Sequence, residues 1–196
     1  FSDELSKLWL TFESESDNYF FQSYKWQKLW YHQQIKYKNK IDNHTVVVSL
    51  SNIIIMILPF NIQYNNYVKI LKWSGFPFSD YNAPLIRSNY SIDYEDFIII
   101  WNKIINNNDF DCVFFENQPE KIINLPNPFF YFLKKKDNNH YYGVKFDENL
   151  VIKKKELFNI KYQTNRLKNL GRLDFKTADN IEDINKVINF IIVNKS

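Results

Sequence analysis

Glycine is scarce: there are three in 196 residues, at Gly75, Gly143 and Gly171. Backbone N–H groups approach a pyrophosphate closely only where side chains are missing. Three scattered glycines therefore exclude a phosphate-cradling loop within this sequence. Cysteine occurs once, as Cys112, so the chain forms no internal disulfide, which suits a reducing cytoplasm. It lies in the apolar run Cys112-Val113-Phe114-Phe115, and the expectation is a buried thiol acting as a small hydrophobe rather than a nucleophile.

Histidine is also rare. His32, His44 and His140 lie far apart and do not make metal-site spacing, so they are read as surface or turn residues and no metal is expected. No serine nucleophile elbow occurs, which leaves hydrolase readings weak. The longest apolar run, Ile53 to Phe60, contains Pro59 and falls far short of the about 18–20 residues a membrane helix requires. The first residues are polar and do not make a signal peptide. The sequence begins with Phe1 rather than Met, and it is expected to be a piece of a longer protein. A formal charge of +3 is slight and does not argue for nucleic acid.

What is present is apolar and aromatic: 45% hydrophobic and 18% aromatic residues, enough to bury a real core in a domain of about 100–200 residues. Trp9, Trp26, Trp30, Trp73 and Trp101 sit among other apolar residues, where most of their area is expected to be buried.

Periodicity divides the chain into elements. Leu5, Leu8, Trp9 and Phe12 make the stripe of an amphipathic helix from Asp3 to about Glu13. A second helix follows over Phe20 to about Ile35, its productive part capped by Ser23. Three β-branched runs, Thr45–Leu50, Ile53–Ile62 and Val68–Trp73, read as an antiparallel meander broken at Ser51-Asn52 and near Asn65-Asn66. Tyr94 to about Ile105 resumes helical spacing. Asp111 to Phe115 reads as a strand suited to the centre of a sheet, Pro119 as the start of a brief helix before a Pro126/Pro128 turn, and Tyr141–Phe146 as another strand. A long helix from Glu148 to Leu170 is expected to end on a left-handed Gly171, followed by strand pattern from Arg172 to Lys176. Asp179 is read as the cap of a last helix, Ile181–Val193. The whole is expected to be an α/β (α+β) structure: a mixed sheet with an antiparallel meander flanked by helices.

The most distinctive stretch is the loop from Gly75 to Pro84, which gathers Asp80, Tyr81 and Asn82 at the end of a strand. Loops of this kind often line sites. The competing reading is structural, with Asp80 capping a tight turn while Tyr81 packs. The helix carrying Lys153, Lys154, Lys155, Lys161, Arg166, Lys168 and Arg172 reads either as a solvated basic face or as one that attracts an anionic group.

Together, Phe20-Phe21-Gln22-Ser23-Tyr24-Lys25-Trp26 with Trp30, Ile57-Leu58-Pro59, Leu71-Lys72-Trp73-Ser74-Gly75 leading to Asp80-Tyr81, and Arg166-Leu167-Lys168-Asn169-Leu170-Gly171 followed by Arg172-Leu173-Asp174-Phe175 carry a resemblance. In order and pattern they resemble the acetyltransferases associated with cellulose biosynthesis, the CelD/BcsL family. That family belongs to the GNAT superfamily and is related to the Fem peptidoglycan aminoacyltransferases. The resemblance implies a GNAT-like sheet and two tandem halves, with residues 1–172 as the N-terminal half and 173–196 as the start of the second. It implies acyl transfer from acetyl-CoA or another acyl-CoA, held by the C-terminal half, to an amine or hydroxyl of a sugar- or envelope-related acceptor. The present chain would bind no cofactor itself and would be silent alone. Asp80, Tyr81, Asn82 and Trp73 would be acceptor-side residues, with catalytic residues unknown. The alternative function is a non-enzymatic binding module for protein or glycan.

Overall fold

Pro59 organises the β-structure. It lacks the N–H that a continuous ladder needs, and the expected single strand Ile53–Ile62 divides there into two strands that enter different sheets. The computed structural model describes residues 2–107, 110–132, 154–174 and 176–195. By compactness it forms two units, Phe1–Asn138 and Asn139–Ser196.

The first unit opens with α1 (Asp3–Ser14), capped by the Ser2 hydroxyl, which accepts from the Leu5 N–H. The two-residue strand β1 (Ser16–Asp17) and a short 3₁₀ turn, Phe20–Gln22, lead into α2 (Tyr24–Lys36). As expected, Ser23 is its N-cap, accepting from Trp26 N–H at 3.3 Å. Five strands follow: β2 (Ile41–Asn43), β3 (Val46–Leu50), β4 (Ile53–Leu58), β5 (Phe60–Asn65) and β6 (Val68–Trp73). Ser51 and Asn52 turn β3 into β4 with both residues at positive φ, the backbone twist that two-residue hairpins favour. After β7 (Leu85–Arg87) comes α3 (Tyr94–Asn106), whose Asp93 cap accepts from Asp96 N–H at 2.8 Å. The short strands β8 (Cys112–Phe114), β9 (Lys121–Ile122) and β10 (Leu125–Pro126) complete the β-structure.

The architecture is α/β with mixed strand directions. One sheet has the order β1-β7-β4-β3, all antiparallel; a second has the order β2-β5-β6-β8, in which β6 and β8 run parallel. Successive side chains on a strand face opposite ways. On β4, Met56 and Leu58 accordingly join the main core with Phe60, Leu71, Trp73, Phe97 and Trp101, while Ile57 joins Trp9, Phe12 and Tyr24 beneath α1. Leu85 and Ile86 divide between the two clusters in the same way.

Several expectations are corrected. Strand β8 lies at an edge of its sheet and its three residues are exposed, so Cys112 is an exposed thiol rather than a buried one. The brief helix expected at Pro119 is instead the β9–β10 hairpin, and the helical turn falls at Pro128–Phe132. Asn127 sets that order: its amide donates to Pro119 C=O at 2.8 Å while its side-chain oxygen accepts from Phe129 N–H at 3.1 Å.

In the second unit, α4 (Lys154–Leu170) and α5 (Ile181–Lys195) bury no residues. Gly171 is not left-handed, and its N–H points to Lys168 C=O at 3.4 Å. Residues 172–174 and 176 form no strand; among the described residues no strand pairs with them, and Arg172 instead bonds its near neighbour Asp174 at 2.8 Å. The cap of α5 is Asn180, one residue beyond Asp179, accepting from Asp183 N–H at 2.9 Å. The strand expected over 141–146 and the start of the long helix, 148–153, lie outside the described residues.

Candidate functional site

Helix α2 presents Tyr24, Gln27 and Trp30 inward at spacings of three, the repeat that keeps side chains on one helical face. Gln27 fixes its position: the amide nitrogen donates to Phe21 C=O at 2.6 Å and to Ser74 C=O at 3.1 Å. The helix is thereby tied to the end of β6. Strand alternation places Phe60 and Ile62 in the core, so Asn61 and Gln63 face the other way. In register, Asn61 pairs with Lys72 and Gln63 with both Ile70 and Ile41.

Between α2 and this sheet lies a cleft of about 620 Å³. Trp26 and Trp30 line it from the helix, with Gln33 and Gln34. Asn61, Gln63, Lys72 and Trp73 line it from the sheet, and Phe76, Pro77 and Phe78 from the following loop. An aromatic, apolar wall with a few convergent polar groups is what a small-molecule site requires. Among the described residues that line it, Lys72 is the only Lys, Arg, His, Asp or Glu.

The loop is held in place by Gly75. Its φ of +104° lies in a region L side chains rarely adopt, and a Cβ there would sit 2.1 Å from Ser79 Oγ. That hydroxyl accepts from the Trp26 indole N–H at 3.1 Å, linking the loop to the helix across the cleft.

Of the four residues singled out in the sequence, only Trp73 lines the cleft. Its ring also packs in the core, 4.6 Å from Phe60 and 5.0 Å from Phe129 between centroids. Asp80 is exposed. Tyr81 stacks on Tyr19 at 5.0 Å, and its carbonyl accepts from Gln22 at 2.7 Å. Asn82 is buried; it donates through its backbone N–H to Asn117 C=O at 2.8 Å and through its amide to Glu116 C=O at 3.1 Å. The last two thus brace the loop against the 3₁₀ turn and the chain after β8. The cleft residues missed from sequence had a signal: Asn61 and Gln63 place amides at every second position of an otherwise apolar strand, and Trp26, Trp30 and Gln33 repeat at spacings of four and three.

A second hollow, of about 640 Å³, lies between β3 and α3 and is lined by Val46, Val48, Ile99 and Lys103 among others. Its sheet side is the edge strand β3, and it lacks the aromatic wall of the first. Among the described residues no group of three or more His, Cys, Asp or Glu could hold a metal ion, and no helix is long and apolar enough to cross a membrane. The basic residues of α4 are exposed. No family model, curated protein or solved structure matches the chain.

Proposed function

We propose that this chain is the acceptor-side half of a GNAT-type acyltransferase of the CelD/BcsL kind, with residues 173–196 opening the second half, working in the cytoplasm where acyl-CoA is made. The observation that carries the reading is the cleft between α2 and the β2-β5-β6 face, which combines indole rings with the amides of Gln33, Asn61 and Gln63. Aromatic faces suit the apolar face of a sugar ring, and side-chain amides donate to and accept from its hydroxyls. The acceptor's amine or hydroxyl would attack the thioester carbonyl of acetyl-CoA or another acyl-CoA. The new C–N or C–O bond forms as C–S breaks, and the acceptor's proton ends on the CoA thiol. Positioning would be this half's contribution. Trp73 borders the acceptor directly, while Asp80, Tyr81 and Asn82 shape the loop beside it.

Among the described lining residues there is no carboxylate or histidine, which also favours a second reading, a non-enzymatic glycan-binding module. Calorimetric titration with glucose, N-acetylglucosamine and acetyl-CoA tests the first reading. The expected result is heat of binding from a sugar and none from acetyl-CoA, together with acetyl transfer to that sugar by the full reading frame. Sugar binding with no transfer by the full frame would favour the module, and acetyl-CoA displacing the sugar from the cleft would contradict the split-site reading.

A further inference from the structure

Lys72, on β6, lines the cleft together with Phe76. Its ammonium lies 5.2 Å from the Phe76 ring centroid and 5.1 Å from that of Phe114, and the two rings meet edge to face at 6.1 Å. An ammonium over aromatic faces is attracted by their quadrupoles and held in place, but its charge is not neutralised. No carboxylate pairs with Lys72 among the described residues, and none lines the cleft. Its side chain is only partly exposed. The remaining polar side chains of the lining are the amides of Gln33, Gln34, Asn39, Asn61 and Gln63, the Tyr37 phenol and the indole N–H groups. A positive charge without a carboxylate partner and two indoles thus line one cleft, an arrangement complementary to a ring that bears a negative charge.

We propose that the ligand of this cleft is an anionic sugar-sized ring, its ring against Trp26 and Trp30 and its carboxylate or phosphate on Lys72. The proposal rests on the reading of the cleft as an acceptor site and narrows its substrate class from sugars in general to acidic or phosphorylated ones. Neutral sugars would use the aromatic wall and the amides but leave the ammonium without a partner.

Calorimetry on the full chain with glucuronate, glucose 6-phosphate and glucose as probes tests this. At least one anionic probe is expected to bind about tenfold or more tighter than glucose, the scale of one charge-assisted hydrogen bond. Whichever of the two binds tighter identifies carboxylate or phosphate as the preferred group. The advantage, read as the ratio of anionic-probe to glucose affinity within each variant, is expected to vanish in Lys72→Met and to survive in Lys72→Arg. Should Lys72→Met fail to fold, the wild-type protein still decides: affinity for the anionic probe should fall with added salt while that for glucose does not. Glucose binding as tightly as both anionic probes, or an advantage that survives Lys72→Met, would overturn the proposal and leave the cleft reading intact. Binding of none of the three would overturn both.

Discussion

Gly75 shows how much of the cleft depends on one backbone angle. At φ +104°, with Ser79 Oγ 2.1 Å from where a Cβ would lie, Gly75→Ala must strain the turn or displace the serine that accepts from Trp26. The expected cost is about 2–3 kcal/mol, read as a lower urea midpoint with unchanged slope, together with weaker sugar binding. An unchanged midpoint would mean that the loop relaxes freely. The sequence marked this loop as distinctive, but its polar residues attracted attention when its apolar ones line the cleft. Asp80, Tyr81 and Asn82 carry functional-looking chemistry; two of them spend it on Tyr19, Gln22, Glu116 and Asn117. Phe76 and Phe78 look like core residues and stand at the cleft instead. Which way a loop side chain points depends on partners distant in sequence, such as the Trp26–Ser79 bond, and local pattern does not encode it.

At the scale of elements, α1, α2 and α3 were legible from their apolar helical spacing, and Ser23 also marked the start of α2. Ser23→Ala should cost about 1 kcal/mol and, because α2 forms one wall of the cleft, should weaken ligand binding as well as stability. Equal binding by the variant and the wild type would show that the first turn of α2 does not position Trp26 and Trp30. The short strands β1, β2 and β7 were missed, since two or three residues carry no period, and they exist only through their partners. Strand β8 was placed at a sheet centre because its residues are apolar; it lies at an edge, where Cys112 is exposed. The 3₁₀ turn Pro128–Phe132 is held by Phe129, whose ring meets Phe60, Trp73, Phe97, Trp101 and Phe115 at centroid distances of 4.8–5.9 Å. Phe129→Ala should lower stability by about 3–5 kcal/mol, measured by urea denaturation. A loss of under about 1 kcal/mol, the scale of a surface change, would show that the turn is not part of the core.

For the whole molecule, the mixed α/β class followed from alternating helical and β-branched segments, whereas the division of the strands into two sheets did not. Pro59 is the visible mark of that division, but the pairing partners on either side of it are set by contacts distant in sequence. Both core clusters and the cleft lie within residues 1–138. A polypeptide of those residues is therefore expected to fold alone with one cooperative urea transition, and a broad, non-cooperative response would show that the second unit is needed for folding.

The central claim is that a ring ligand occupies the cleft between α2 and the second sheet. The most direct test is a two-dimensional ¹H–¹⁵N spectrum of the full chain, in which the indole N–H groups of the five tryptophans report separately during parallel titrations with glucuronate and with glucose 6-phosphate. The account predicts that, with at least one of the two ligands, the Trp26 and Trp30 signals move with a common saturation curve while those of Trp9, on the buried face of α1, and Trp101, on α3, stay in place. Signals that all stay fixed, or shifts centred on Trp9 or Trp101, would contradict it.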